Sequence, residues 1–180
     1  MPLISHGAIV TDTWAPLADD EPAPETDDVI VSLERLLREQ EELFRRKGRT
    51  GVVLDNATDP EELEHLLGSL DLIALRFPAF TDGRAYSQAR VLRQHLGFEG
   101  ELRATGQVLA DQAAFLLRCG FDTFEVGEDE RLEVWQRTGS AITLSYQRGF
   151  RDTGLATRDT LNGRKGATAA QPAPIVEVVS

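Results

Sequence analysis

A single cysteine, at position 119, stands in the 180-residue chain, which excludes an internal disulfide, a four-cysteine zinc site and a self-contained iron–sulfur cluster. Histidine is nearly as scarce. His6, His65 and His95 lie far apart, so no three-histidine metal site is expected. Basic residues are in deficit: nineteen Lys and Arg against thirty Asp and Glu give a formal net charge of −11. That balance argues against nucleic acid and anionic membranes as partners, because attraction to phosphate needs a cationic surplus. No apolar run approaches the ~18–20 residues that cross a bilayer, and the start MPLISHGAIVTDTW lacks the basic head and apolar stretch of a secretory signal. A cytoplasmic protein is expected, in which the Asn56-Ala-Thr58 sequon has no meaning. Also missing are G-x-G-x-x-G, a P-loop, G-x-S-x-G, C-x-x-C and H-E-x-x-H, and with them any cofactor evident from the chain.

Hydrophobic residues at 41% and charged residues at 27% suit one globular core. Residues 1–28 stand apart. Ile4–Val10 alternates weakly, as a short hairpin does, and residues 11–28 then carry seven acids, no bases and three prolines. Like charges repel and proline withholds a donor, so an extended acidic arm is expected, either a solvated strap or a docking arm for a basic partner. Residues 29–150 read as one α/β domain. The tail from Arg151, rich in Gly, Ala, Thr and Pro and without helical stripes, reads as disordered.

Within the domain, short apolar runs at Val29–Val31, Val52–Leu54, Leu70–Phe77, Leu102–Ala104, Thr123–Val126 and Ile142–Tyr146 predict strands. Helical stripes lie between them: Leu33, Leu36, Leu37 and Phe44; Leu63, Leu66 and Leu67; Ala85, Ala89, Leu92 and Leu96; Leu109, Ala113, Leu116 and Leu117. Asp59-Pro60-Glu61-Glu62 supplies a helix cap, and Gly97 and Gly120 fall where a left-handed residue ends a helix. Alternating βα units predict a mainly parallel sheet. The chain is too short for an ordinary eight-unit barrel of ~250 residues. An open doubly wound sheet covered on both faces is the first expectation, and a partial or strand-poor barrel the second.

Ligands of parallel sheets gather beyond the carboxyl ends of the strands. Asp55, Arg76, Arg103, Thr105 and Glu125 occupy or approach those ends, and buried charges there need partners. Arg76 and Arg103 either pair with neighbouring acids or line an anion pocket, where a guanidinium fork holds two oxygens at once. The richest stretch is Phe77–Arg90. Thr81 or Asp82 can cap a helix, Gly83 permits a tight turn, and Arg84 with the Ser87 hydroxyl can face a small anion. Residues 76–118 carry six arginines against four acids, a local surplus in an acidic chain. Asp111 and Gln112 open the next helix and either face the same mouth or cover surface. Cys119 beside Gly120 reads as a small core residue.

At Phe77–Arg90, with Gly97–Gln112 and Arg118-Cys-Gly-Phe-Asp122, the chain resembles the bacterial domain-of-unknown-function family 934, whose members are described as a probable oxidoreductase involved in sulfite reduction. The string FPAFTDGRAYSQARVLR carries the resemblance, which extends from the N-terminal arm to about Tyr146. Ala85 stands where the family usually has glycine, and Arg76 where an acid is common. The resemblance implies a place in sulfur assimilation beside sulfite reductase. Such a reductase needs sirohaem and an iron–sulfur cluster, and this chain has no ligand set for them, so both are expected only in a partner.

Three readings follow. The first is an accessory protein that binds sulfite reductase, its electron donor or a sulfur oxyanion. The second is an enzyme on a small anionic substrate, with Arg84 and Arg103 clamping the anion and Asp82 or Asp111 moving a proton. The third is a regulatory module that works through the acidic arm and the tail.

Overall fold

The computed structural model describes residues 2–5, 8–127 and 134–135. The strand expected at Ile142–Tyr146 and the tail from Arg151 lie outside those residues. Eight strands form one sheet in the order β2 (Ala8–Val10), β1 (Leu3–Ser5), β8 (Thr123–Glu125), β7 (Glu101–Gly106), β6 (Leu72–Phe77), β5 (Thr50–Leu54), β4 (Val29–Ser32) and β3 (Ala15–Pro16). Neighbours from β3 to β8 are parallel, whereas β1 runs antiparallel to both β2 and β8.

From β4 to β8 the strands follow chain order without reversal. Right-handed crossovers that all step the same way put every helix on one face. The main core agrees. It joins Val31, Val52, Ile73, Leu75 and Leu102 of the sheet to Leu36 and Leu43, Leu63, Ala85 and Leu92, and Leu116 from the helices. The opposite face carries a small cluster of Trp14, Ile30, Leu72 and Ala74, to which no helix contributes. The doubly wound sheet is therefore not formed, since its strand order would have to reverse. The chain adopts the second architecture, a curled, mostly parallel half-barrel.

The curl follows from connectivity. β2 and β3 are the two edges of the sheet, yet only residues 11–14 join them. Eight strands laid flat would separate their edges by ~34 Å, at ~4.8 Å per strand. Five steps of chain reach at most ~18 Å. The sheet must bend until its edges approach, and residues 11–14 cross the inner face as a strap. Trp14 is buried there, and its ring lies beneath the Arg49 guanidinium at 4.7 Å.

The acidic arm is thus an extended strap held against the sheet, with Ala15–Pro16 as its edge strand. Ala15 and Leu17 donate backbone hydrogen bonds to Asp28 and Ile30 at 2.9 Å each. Buried Arg35 donates to the Ala18 carbonyl and, at 2.6 Å, to that of Glu21; Arg46 donates to the Pro24 carbonyl at 2.7 Å. Three of the arm's seven carboxylates pair with cations, Glu25 with exposed Lys47 at 3.3 Å and two more closely. Asp28 holds Arg49 at 2.6 Å, and Asp12 holds Arg103 at 2.7 Å.

Helices form where capping and patterning direct them. Ser32 accepts the Arg35 amide at 3.1 Å to open α1 (Leu33–Arg45), which kinks at Glu39. Asp59 caps a 3₁₀ helix, Pro60–Ser69, with proline at its start. α2 (Arg84–Arg90) runs on into a π turn, Val91–His95. α3 (Ala113–Cys119) follows a 3₁₀ turn, Ala110–Gln112, and ends on Gly120 with φ at +103°.

Candidate functional site

The carboxyl ends of β5 and β6 bring together four polar side chains. After β5 the chain turns through Asp55–Thr58, closed by the Thr58 amide donating to the Asp55 carbonyl at 3.0 Å. Gln88 of α2 sits beneath this turn, 5% exposed, and its amide donates to the carbonyls of Asp55 and Thr58 at 2.8 and 2.7 Å. The turn so held presents Asn56, whose side-chain amide donates to Asp82 at 2.7 Å. Asp82 in turn accepts from the Arg84 backbone at 3.2 Å, from its Nε at 3.0 Å and from its Nη2 at 2.7 Å. Sequence reasoning missed Asn56 and Gln88. The available signal was a glutamine set between Ala85, Ala89 and Leu92, on a stripe that is otherwise apolar.

The Asp82–Arg84 pair fixes the charge at this rim. The Arg84 guanidinium, with its backbone amide and then Asn56, holds the Asp82 carboxyl down to about 2, and Asp82 raises Arg84 in return. Asp82 is ionised at neutral pH and surrounded by donors, which suits ionic recognition better than proton exchange. The pair uses Nε and Nη2 of Arg84, while Nη1 takes no part in it, and the Arg84 side chain is 60% exposed.

The remaining predicted residues separate. Arg103 is the third residue of β7 and projects from the face opposite the helices. It is 1% exposed there, between Asp12 at 2.7 and 3.0 Å and Glu101 at 3.0 Å, with Glu125 at 3.6 Å. The clamp expected of Arg84 and Arg103 does not form, because the two guanidinium groups lie on opposite sides of the sheet and Arg103 is sealed by carboxylates. Arg76 is exposed and stands 3.6 Å from Asp55. Thr81 and Ser87 are exposed, and Asp111 is exposed at the head of its turn. Gly83 has φ at −87° and room for a Cβ against the Tyr86 ring at 3.5 Å, so no special backbone demands glycine there. Gln112 does reach the rim: it donates to the Phe80 carbonyl at 3.1 Å and accepts the Leu109 amide at 3.3 Å. Cys119 is buried, and burial pushes its thiol up.

Beside the polar quartet the rim is apolar. Tyr86 packs edge-on against Phe115 at 4.7 Å and Phe77 at 5.1 Å, and its hydroxyl is pushed up to about 12 by burial first, then by Cys119 and Asp111. Phe80, Leu109 and Phe115 are exposed to solvent. At the other end of the sheet a cavity of about 680 Å³ is lined by Arg49, Glu64, Asp71, Glu99 and Glu101 among others. No group of three or more His, Cys, Asp or Glu suited to a metal ion occurs among the described residues.

A profile of bacterial proteins of unknown function, DUF934, matches residues 51–155. The chain belongs to this family. The matched span of this DUF934 protein holds the whole rim, from the Asp55 turn to α3, but not the strap or α1. It starts later than the resemblance to the N-terminal arm implied and extends past Tyr146. No curated protein matches the chain. No helix among the described residues is long and apolar enough to cross a membrane.

Proposed function

We propose that this DUF934 protein is a cytoplasmic accessory of assimilatory sulfite reduction that works by binding, with sulfite reductase, its electron donor or a sulfur oxyanion as the partner. The observation that carries the binding half of the reading is the state of Asp82. Its carboxylate accepts from the Arg84 guanidinium at 3.0 and 2.7 Å and from Asn56 at 2.7 Å, an arrangement that keeps it ionised and favours holding an ion over moving a proton. The other half rests on the resemblance carried by FPAFTDGRAYSQARVLR and the place in sulfur assimilation that it implies. Sirohaem, the iron–sulfur cluster and the electron transfer itself then belong to the partner.

Growth of a strain lacking the protein, on sulfate, sulfite or cysteine as sole sulfur source, tests the reading. Failure on sulfate and sulfite with rescue by cysteine is the expected result; normal growth on all three overturns the sulfur assignment. Asp82→Asn and Arg84→Gln then test the recognition element. Each breaks the ion pair, so the binding reading expects both to lose growth on sulfite to a similar degree, whereas proton transfer by Asp82 would make Asp82→Asn alone ~10²–10⁴-fold slower; full growth with both variants removes the pair from the site.

A further inference from the structure

Residues 11–14 cross the inner face without the backbone ladder that secures the strands. Among the described residues, no backbone–backbone hydrogen bond involves them, so side chains hold the strap in place. Trp14 lies on the apolar cluster of Ile30, Leu72 and Ala74, where Arg49 covers its ring and reaches the Thr13 hydroxyl at 3.4 Å. Asp12 takes Nη1 and Nη2 of buried Arg103 at 2.7 and 3.0 Å.

The Asp12 contact is contested. Glu125 of β8, only a quarter exposed, stands 3.6 Å from the same Nη1, and Glu101 holds Nε and Nη2 at 3.0 Å each. Three carboxylates thus share one guanidinium, and like charges crowded at one site favour a proton on one of them. The charged groups around Glu125 are Arg103, Asp12 and the chain's amino terminus, with Glu101 across the guanidinium. Burial, the largest influence, raises the Glu125 carboxyl, and Asp12 adds to the rise, whereas Arg103 and the amino terminus oppose it.

We propose that the strap is a proton-linked latch: ionised Glu125 competes with Asp12 for Nη1 of Arg103, and a proton on Glu125 leaves that nitrogen to Asp12 and closes the strap over the inner face. Opening the strap takes Asp12 away and admits water to Glu125, so the open form holds the proton less tightly. Closure therefore strengthens as pH falls through the raised value of Glu125 towards the ordinary 4.5. The device lies on the face opposite the helices and is independent of the sulfur chemistry.

Amide hydrogen exchange in the full chain reads the latch at Trp14, whose N–H donates to the Asp12 carboxylate at 3.1 Å. The amide of Ile73, buried in β6, is the control for global opening. Exchange divided by the intrinsic rate at each pH gives an opening constant. Trp14 is expected to open more readily than Ile73, with an opening constant that falls at least ~2-fold between about pH 8 and about pH 5. In Glu125→Gln, which fixes the neutral form, the constant is expected to stay low across the same range. Three results overturn the proposal: Trp14 opening only as often as Ile73, a Trp14 constant that does not fall on acidification, or a fall that persists in Glu125→Gln. The first two are read on the wild type alone and hold even if the variant fails to fold.

Discussion

Asp82 and Arg84 stand two residues apart and fix each other's ionisation, which gives the rim a measurable signature. The carboxyl of Asp82 is held at about 2, below the ordinary 3.8. Whatever the pair adds to stability is therefore complete above the ordinary value and disappears as pH falls towards 2. A carboxyl-carbon NMR titration is expected to give Asp82 a midpoint near 2 in the wild type and, in Arg84→Gln, a rise towards the ordinary ~3.9 that stops short of it, because the backbone amide and Asn56 still donate. A wild-type midpoint near 4 would remove the ion pair from the site. Glu125 behaves in the opposite sense. Burial raises it despite Arg103 nearby, so its protonation favours the folded state as pH falls through its raised value. The acid side of the stability profile thus records two carboxyls pulling in opposite directions, one paired in the open and one enclosed.

At the level of elements, the strands from Val29 to Glu125 and the helices between them were legible, because apolar runs and stripes alternate cleanly and the caps at Asp59, Gly97 and Gly120 agree with them. Helix type was less legible. Pro60–Ser69 is 3₁₀ and Val91–His95 is π, and periodicity does not distinguish these from α. The stripe of α1 was misread in part. Leu37 faces solvent while Arg35 is buried, since Arg35 spends its guanidinium on the carbonyls of the arm, an interaction that no local pattern announces. The architecture was left between two choices because handedness fixes each crossover but not the strand order. At the rim, Asp82, Arg84 and Gln112, singled out by loop and cap chemistry, do lie together, whereas Arg103 takes the alternative of pairing with acids, because alternation along β7 assigns it to the other face. One element boundary makes a sharp prediction. Gly106 ends β7 at φ +89°, and a Cβ there would lie 2.4 Å from the Phe77 carbonyl oxygen. Gly106→Ala is expected to cost ~1–3 kcal/mol in urea unfolding. Gly97→Asn, at φ +67° with open space around it, should cost well under ~1 kcal/mol. Equal losses would contradict the close approach of β6 and β7.

For the whole molecule, the strap that joins the two edges of the sheet is anchored on one buried arginine. Arg103 sits among Asp12, Glu101 and Glu125, and Asp12 belongs to the strap that joins the two edges of the sheet. Removing the cation leaves carboxylates enclosed without it, so Arg103→Met is expected to cost ~3–5 kcal/mol. Because the strap acts through the same contact, Asp12→Asn introduced into that variant should cost less than it does alone, with a coupling of ~0.5–3 kcal/mol in a double-mutant cycle. Strict additivity in urea unfolding would mean that the strap and Arg103 are energetically independent, and that the Asp12 contact does not anchor the strap.

The pairing of β1 with β8 also sets an order of events during synthesis. Leu3 lies opposite Glu125, so the first strand to leave the ribosome must wait for the last described strand before it can enter the sheet. At ~5–20 residues per second, about 6–25 seconds pass with the N-terminal segment made but unplaced. During that time its apolar residues are open to chaperones, and the growing sheet keeps a bare edge that moves from β4 to β7 as each strand is added. The strand that is first in the chain is therefore among the last to be secured in the fold.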